Sequence, residues 1–307
     1  MIQKKFKVVA FYFTQSGQAL IAAKHICAPL EKACNVIYKR IIPQHEYPFP
    51  WTTRAFFDAF PESRLGQPPS GIAPIDFSDV VDADLVLVVG QSWFLAPSLP
   101  LQSFFIDEQV KTYLQGRDVV FVNVCRNMWV MTLRSIREYI KDANARLIGH
   151  IVLQDAHPNL ISAITVVRWL IRGRKQSTTL LPASGIADKE MSEAARFGDT
   201  ILKSLQQEAM SQLPLRLMSV RSVVYKPSIA FIEKTGHCIF GHWARFIKKK
   251  GDMGNPRRRV CVVLFSYYLT FVLFVMSPLA QFFFYLTYPF RNIRRVRQND
   301  CRLNSDK

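Results

Sequence analysis

The chain has 307 residues, enough for one large domain or two ordinary ones. Hydrophobic residues make up 49% of it, a globular value that excludes wholesale disorder and collagen-like or low-complexity sequence. The formal net charge of +17 is unevenly placed, because residues 211–307 hold 17 Lys and Arg but only 4 Asp and Glu. This asymmetry indicates an anionic partner for the last third of the chain, either nucleic acid or an anionic membrane surface.

Five short apolar segments rich in β-branched and aromatic residues predict buried strands. They cover residues 7–13, 35–42, 84–90, 119–125 and 147–153. Segments with helical spacing separate or follow them, at residues 19–33, 129–143, 161–171 and 188–208. The alternation predicts an α/β fold, a doubly wound five-stranded parallel sheet with helices on both faces. We assign residues 1–210 to this domain and residues 211–307 to a basic, hydrophobic helical tail.

The loop after the first predicted strand offers two hydroxyl groups, a glycine and the start of a helix. Its residues are Thr14, Gln15, Ser16, Gly17 and Gln18. Ligands of a doubly wound sheet bind beyond the carboxyl ends of the strands, and N–H groups at a helix start bind phosphate. The loop has neither the three-glycine dinucleotide pattern nor the lysine of a P-loop, which disfavours a P-loop nucleotide site and a typical NAD site.

This loop resembles the FMN phosphate loop of the flavodoxin-like superfamily. Residues 91–98, after the third strand, resemble the family's second flavin loop, in which an aromatic residue and a proline border the isoalloxazine ring; residues 125–129 stand in place of the third. The resemblance implies a flavodoxin-like fold that binds FMN. The implied contacts are Thr14, Gln15, Ser16, Gly17 and Gln18 for the phosphate, Ser92, Trp93 and Phe94 beside the ring, and Asn127 at the ring edge. Buried packing is the alternative for Trp93.

Three longer segments narrow the resemblance. Residues 48–66, 125–131 and 153–162 are similar to those of flavodoxin-like proteins of dialkylresorcinol biosynthesis, commonly labelled condensing enzymes. Condensation of acyl thioesters normally uses a cysteine with two histidines or a histidine and an asparagine, and only Cys125 stands at a strand end near the predicted site. A flavin suits a different step, the oxidation of a 2,5-dialkylcyclohexane-1,3-dione to a dialkylresorcinol. The resemblance therefore implies an FMN-dependent dehydrogenase, an aromatase.

Three residues are the predicted catalytic residues of this reaction. His157 follows the fifth strand and is the predicted base, with Asp155 orienting it, because a base needs a pKa near the working pH. A structural turn is the alternative for His157. Arg126 would stabilise an enolate, and a helix-start or flavin-phosphate contact is its alternative. Arg54 and Asp58, in the aromatic segment, are weaker substrate-site candidates, with a surface ion pair as the alternative.

Other functions remain open at this point. The first is an NAD(P)H:quinone or flavin reductase on the same fold; the others are an electron carrier and a non-catalytic scaffold or condensation partner. The residues His237, Cys238 and His242 lack a fourth ligand in any standard zinc pattern, so no metal is expected. The six cysteines include no C-x-x-C pair, which indicates a reducing environment.

Residues 260–290 contain no charged side chain. Apolar runs of this length are candidates for membrane helices, but one straight helix would be about 46 Å long against a hydrocarbon core of roughly 30 Å. Pro278 lies in the middle, and basic residues flank both ends, at 248–250 and 257–259 before and 291–297 after. The pattern predicts a membrane hairpin with its apex near Pro278 or a single span, with a buried soluble hairpin as the alternative.

The expected surroundings follow from this tail and from the implied substrate. The arginines bracket an apolar stretch instead of alternating with aromatic residues, which disfavours nucleic acid. We expect a location at the cytoplasmic face of the inner membrane, an anionic lipid surface and a lipophilic small-molecule substrate. A ketosynthase partner and a homodimer are further candidates.

Overall fold

A central sheet of five parallel strands organises the computed structural model, which describes residues 5–287. The strands are β1 (Lys7–Tyr12), β2 (Asn35–Arg40), β3 (Leu85–Trp93), β5 (Asp118–Cys125) and β6 (Arg146–Gln154), and the two-residue β4 (Ala96–Pro97) folds back antiparallel on the end of β3. The sheet order is β2-β1-β3-β5-β6. Counted over the parallel strands alone, this is the 2-1-3-4-5 order of flavodoxin-like folds, so the predicted fold is confirmed.

Helices cover both faces of the sheet. Those of the α/β unit are α1 (Gln18–Glu31), α2 (Thr53–Asp58), α3 (Phe60–Leu65), α4 (Leu99–Ile106), α5 (Glu108–Leu114), α6 (Val130–Asp142), α7 (Asn159–Arg172), α8 (Asp188–Glu193) and α9 (Ala195–Gln206). Side chains alternate along each strand, so Val8 faces α1 and α9 while Val9 faces α4, α5 and α6. Each face thereby has its own buried apolar layer, as a doubly wound sheet requires.

The packing of the α/β unit continues past residue 210, where the sequence predicts the domain boundary. Helix α10 (Leu213–Ser219) buries Leu213 and Leu217 in the same layer as α1 and α9. Gly149 in β6 makes room for it, because a Cβ there would lie 2.8 Å from Leu217 Cδ1. Just beyond, Ser222 O accepts a hydrogen bond from Val152 N at 2.8 Å. Residues 213–222 therefore complete the sheet layer.

Two long helices follow and run side by side. Helix α11 (Pro227–Lys248) packs on α3 and α6, and the chain then turns back into α12 (Arg259–Phe271), a π-helical turn (Val272–Met276) and α13 (Ser277–Thr287). Phe240 of α11 meets Phe265 of α12 with ring centroids 5.6 Å apart. The apolar segment is thus one continuous helix through Pro278 within the described residues, not a hairpin with its apex there. The π-helical turn loosens the backbone just ahead of the proline, which lacks an N–H and crowds the preceding turn.

Arg258 ties the start of this helix to α2 and α3. Its guanidinium is fully buried, with Nε 2.7 Å from Asp58 Oδ1 and Nη1 2.7 Å from Glu62 Oε1. Lys248 Nζ adds a third contact, 3.1 Å from Glu62 Oε1. Two of the basic residues expected to flank a membrane segment therefore neutralise buried carboxylates, and Asp58, a weak substrate-site candidate, is an ion-pair partner. Residues 291–297, the second basic flank, lie outside the described residues.

Candidate functional site

The loop between β1 and α1 presents an open cradle at the carboxyl edge of the sheet. Thr14 Oγ1 is buried and has no hydrogen-bond partner among the described residues. Gly17 has φ +90°, in the left-handed region that glycine adopts without strain, and nothing lies within 4 Å of the place a Cβ would occupy. An unpartnered hydroxyl, open space and the amino end of a 14-residue helix together favour an anion.

Two glutamine side chains of this loop bind residues of neighbouring loops and do not point into the open space beside Gly17. Gln15 Nε2 donates to Pro48 O at 2.9 Å, and Gln15 Oε1 accepts from Trp51 Nε1 at 3.1 Å. Gln18 Nε2 donates to Ile186 O at 3.1 Å. The side chains predicted to contact phosphate therefore hold neighbouring loops in place, and the contribution left to these two residues is their backbone.

The loop after β3, the second of the three predicted flavin loops, contains side chains that pack in the interior and side chains that are partly exposed. Ser92 Oγ donates to Asn123 Oδ1 at 3.0 Å and accepts from Thr132 Oγ1 at 2.8 Å, so its hydroxyl joins β3 to β5 and α6. Trp93 is half-buried and meets three rings edge-on, with centroids 5.2–5.9 Å away: Phe13, Tyr47 and Trp51. Trp93 therefore contributes to packing, as its alternative interpretation requires, and remains only partly exposed.

Phe94 and Leu95 form an unusual turn between β3 and β4. Both have positive φ, 49° and 64°, which is uncommon for residues with large side chains. Phe94 stacks obliquely on Phe56, with centroids 4.8 Å apart, and lies 5.4 Å from Phe60. Such backbone strain persists only where surrounding packing enforces it, and it is common beside ligands. Here the aromatic segment, residues 47–60, is what holds the turn.

The third loop carries a second unpartnered acceptor. Asn127 is 5% exposed; its Nδ2 donates to Asn159 Oδ1 at 3.0 Å, whereas its Oδ1 has no partner among the described residues. Asn159 Nδ2 in turn donates to Ser277 Oγ of α13 at 3.0 Å. A polar chain therefore leads from the third loop through the first residue of α7 to the apolar helix, and one amide oxygen is left to accept a hydrogen bond.

The predicted base and its orienting carboxylate are in contact. His157 Nδ1 lies 2.6 Å from Asp155 Oδ1, and Ser162 Oγ donates to Asp155 Oδ2 at 2.7 Å. Asp155 is fully buried, while the His157 side chain is one-third exposed. With a proton on Nδ1 directed at the carboxylate, the imidazole presents Nε2 as an acceptor. The loop after β6 thus holds a histidine in the orientation that a general base requires.

Arg126 lies beside this pair. Its Nη1 donates to Asn159 O at 2.9 Å, which fixes the guanidinium between the third loop and α7. Burial lowers the pKa of Arg126 to about 10, and the charge of Asp155 acts in the opposite direction. The side chain remains cationic at neutral pH, so it can stabilise a negative charge nearby.

Cys125 differs from a thioester nucleophile. It is 8% exposed, and burial, reinforced by the charge of Glu233, raises the pKa of its thiol well above the usual range. Because the thiolate is the reactive form of cysteine, this environment suppresses nucleophilic attack.

Glu233 was not predicted from the sequence. From α11 it reaches the amino end of α6, where Oε2 accepts from Val130 N at 3.2 Å and Oε1 from Met131 N at 2.8 Å. Burial raises the pKa of its carboxyl to about 7. No local signal marks it, since its partners are about a hundred positions away in the chain. Asn159 was also missed, although a polar residue two positions after His157 is visible in the sequence.

The histidines of α11 have other partners. His237 Nδ1 lies 2.9 Å from Arg64 Nη2, and burial together with Arg64 lowers the pKa of this histidine to about 4. His242 Nδ1 lies 3.0 Å from Cys238 O of its own helix. Among residues 5–287, no group of three or more His, Cys, Asp or Glu side chains is placed to hold a metal ion.

Comparison with known proteins finds similarity among solved structures. No protein-family model matches the chain, and no curated protein matches it. A flavodoxin from the domain Archaea is 14% identical, covers 66% of this chain and 99% of its own, and has a TM-score of 0.38. A flavoprotein in complex with FMN from Lactobacillus acidophilus NCFM is 18% identical over 48% of this chain and 93% of its own (TM-score 0.38). An NAD(P)H:quinone oxidoreductase from Methanothermobacter marburgensis is 10% identical over 64% and 96% (TM-score 0.30). The fold assignment rests on the strand order.

Proposed function

We propose that this protein is an FMN-dependent oxidoreductase that converts a 2,5-dialkylcyclohexane-1,3-dione to a dialkylresorcinol at the cytoplasmic face of the inner membrane. The observation that carries the proposal is the meeting of two kinds of group at one edge of the sheet. Among residues 5–287, Thr14 Oγ1 and Asn127 Oδ1 are buried without hydrogen-bond partners, and His157 is oriented by Asp155 in the loop after β6.

The unpartnered groups fit FMN. A buried polar atom without a partner costs about 1–3 kcal/mol, and a flavin bound across the loops after β1 and β5 would satisfy both of these atoms. Thr14 and the N–H groups at the start of α1 would hold the phosphate, the partly exposed Trp93 would border the ring, and Asn127 Oδ1 would accept a hydrogen bond from the ring edge. When bound, FMN supplies the two-electron acceptor that aromatisation needs.

The protein's own groups supply the proton chemistry. Aromatising the dione removes two hydrogens, one as hydride and one as a proton. His157 Nε2 would take the proton from ring carbon, with Asp155 stabilising the imidazolium that results. Arg126 would stabilise the enolate oxygen left behind, since its guanidinium stays charged at neutral pH.

The substrate class rests on the resemblance of residues 48–66, 125–131 and 153–162 to proteins of dialkylresorcinol biosynthesis. Two features agree with a lipophilic substrate: the aromatic segment that covers the edge of the sheet, and the apolar helix beside it. The buried thiol of Cys125 disfavours the condensing role that the family label suggests.

The test is the visible spectrum of the full chain purified in mild detergent. We expect yellow protein that bleaches when a 2,5-dialkylcyclohexane-1,3-dione is added without oxygen, with a resorcinol as the product. His157→Gln is the matched variant and should keep the flavin but bleach slowly. Bleaching by NAD(P)H alone would instead favour the quinone-reductase function, and protein that cannot be loaded with FMN would refute both.

A further inference from the structure

The inward face of the apolar helix contacts the rest of the described chain near its start, its middle and its end. Arg258 holds its start through Asp58 and Glu62. Ser277, which is 4% exposed, holds its middle through Asn159. Near its end, Phe284 is 7% exposed and lies against Phe231 of α11, with ring centroids 5.9 Å apart. The helix lies across the domain.

The outward face of the same helix is apolar and exposed. Twelve large side chains between residues 260 and 286 have 40% or more of their surface exposed, among them Tyr267 at 71%, Phe271 at 53% and Phe282 at 62%. Soluble monomers rarely expose a continuous apolar strip of this extent, so another apolar phase covers it.

The charge around the strip indicates which phase that is. No acidic side chain occurs between Asp252 and Asp300, and this stretch contains the exposed Arg257 and Arg259 and, beyond the described residues, four arginines at 291–297. A basic, aromatic-rich surface with an apolar centre is complementary to an anionic lipid headgroup layer. A second copy of the chain would bring the same positive charge to the interface and is disfavoured.

We propose that the helix α12–α13 lies in the plane of the membrane surface, with its outward face among the lipid chains and its inward face on the domain. The continuous helix Pro256–Phe284 has the length and composition to cross a membrane, with 29 residues that extend about 44 Å. Crossing would, however, require it to leave Asn159 and Phe231 and to expose Val262 and Phe265. Lying flat keeps all of these contacts and buries the whole strip.

This orientation deepens the proposed function and rests on it for the identity of the substrate. The hydrogen bonds from Ser277 to Asn159 and from Asn159 to Asn127 place the lipid-bound helix next to the third flavin loop. A dialkyl substrate dissolved in the bilayer would reach the site from the lipid side without crossing water.

Depth-dependent quenching tests the orientation on the full chain. Val263→Cys, Phe271→Cys and Phe282→Cys place a fluorophore along the outward face, with Cys238, Cys261 and Cys301 replaced by serine. The outer two positions are about 28 Å apart along the axis. The vesicles contain phosphatidylcholine with a minor fraction of phosphatidylglycerol and carry a quencher either near the headgroups or at the bilayer centre. Val81→Cys, at an exposed valine just before β3, is the control.

We expect all three labels to be quenched to similar extents, more by the shallow quencher than by the deep one, and the control label not at all. A gradient of depth from Val263 to Phe282 would show a membrane span and overturn the inference. Absence of quenching at all three positions, with a dimer found by light scattering, would assign the strip to a second copy. The dione-driven bleaching is measured separately in detergent, so a failure of the proposed reaction does not alter the depth profile.

Discussion

Replacing Arg258 with methionine should release the apolar helix from the α/β unit. Every N–H of this guanidinium has its own acceptor. Nε donates to Asp58 Oδ1, and Nη1 donates to Glu62 Oε1 at 2.7 Å and to Gly251 O at 3.2 Å. Nη2 donates to Glu62 Oε2 at 2.9 Å and to the backbone oxygen of Asp58. Arg258→Met removes all five bonds and leaves two carboxylates facing each other.

The expected loss of stability depends on the ion pairs that remain after the substitution. Removing one partner of a buried ion pair costs about 3–5 kcal/mol. Lys248 Nζ stays 3.1 Å from Glu62 Oε1, so we expect the lower end, about 3 kcal/mol. Arg258→Lys keeps the charge but has three donors in place of five and cannot bind Glu62 with two parallel bonds, so about 1–2 kcal/mol is expected. Adding Glu62→Gln to Arg258→Met should recover part of the loss.

Urea denaturation in mild detergent, followed by circular dichroism, measures these differences. Trypsin cleavage at the exposed Lys249 and Lys250 reports local release of the helix before global unfolding. If Arg258→Met matches the unmodified protein within about 0.5 kcal/mol, or if the two substitutions add fully, the cluster does not hold the helix and the reasoning is refuted.

Three further outcomes are expected. Thr14→Val should weaken FMN binding roughly tenfold to a hundredfold, by fluorescence titration, without destabilising the flavin-free protein, because an unpartnered hydroxyl contributes no bond there; a clear loss of stability would show that the hydroxyl has a structural partner. His157→Gln should slow dione-driven bleaching about a hundredfold or more and Asp155→Asn less, with FMN content unchanged; equal rates would exclude the pair as the base. Glu233 has a folded-state pKa of about 7, above its unfolded value of 4.5, so the folded protein keeps a proton that the unfolded chain releases. The contribution of Glu233 to stability should therefore be fully present below about pH 4.5 and decrease by about 3 kcal/mol as the pH rises to about 7, and Glu233→Gln should remove this dependence from the urea-midpoint profile.

The sequence was sufficient wherever the deciding contacts are local. The five strands follow from apolar runs, and the contact of Asp155 with His157 joins residues two positions apart in one loop. The carboxyl edge of a parallel sheet then gathers the loops after β1, β3, β5 and β6 without further information.

Side-chain direction was beyond the sequence wherever partners are far apart in the chain. The sequence predicts Gln15 and Gln18 as phosphate contacts, but their side-chain amides bind Trp51 and Ile186, 36 and 168 positions away. The sequence predicts Arg258 as a cation flanking a membrane segment, but its side chain pairs with two carboxylates that lie 196–200 positions earlier in the chain. A residue type shows that a partner is needed, and only the fold determines which partner it is.

The π-helical turn sets the rotational phase of the second half of the apolar helix. Side chains eleven residues apart point to the same side of a regular α-helix. If the helix were regular beyond the buried Phe265, Met276 would therefore face the domain. The wider turn adds one residue, and Ser277 faces the domain while Met276 is 46% exposed. The π-helical turn thus decides which face of α13 is polar. Deleting one residue from Val272–Met276 would place Ser277 eleven residues after Phe265, so that a regular α-helix keeps it facing the domain, whereas closing the π-helical turn without a deletion would rotate α13 by about 100° and turn Ser277 toward the lipid side.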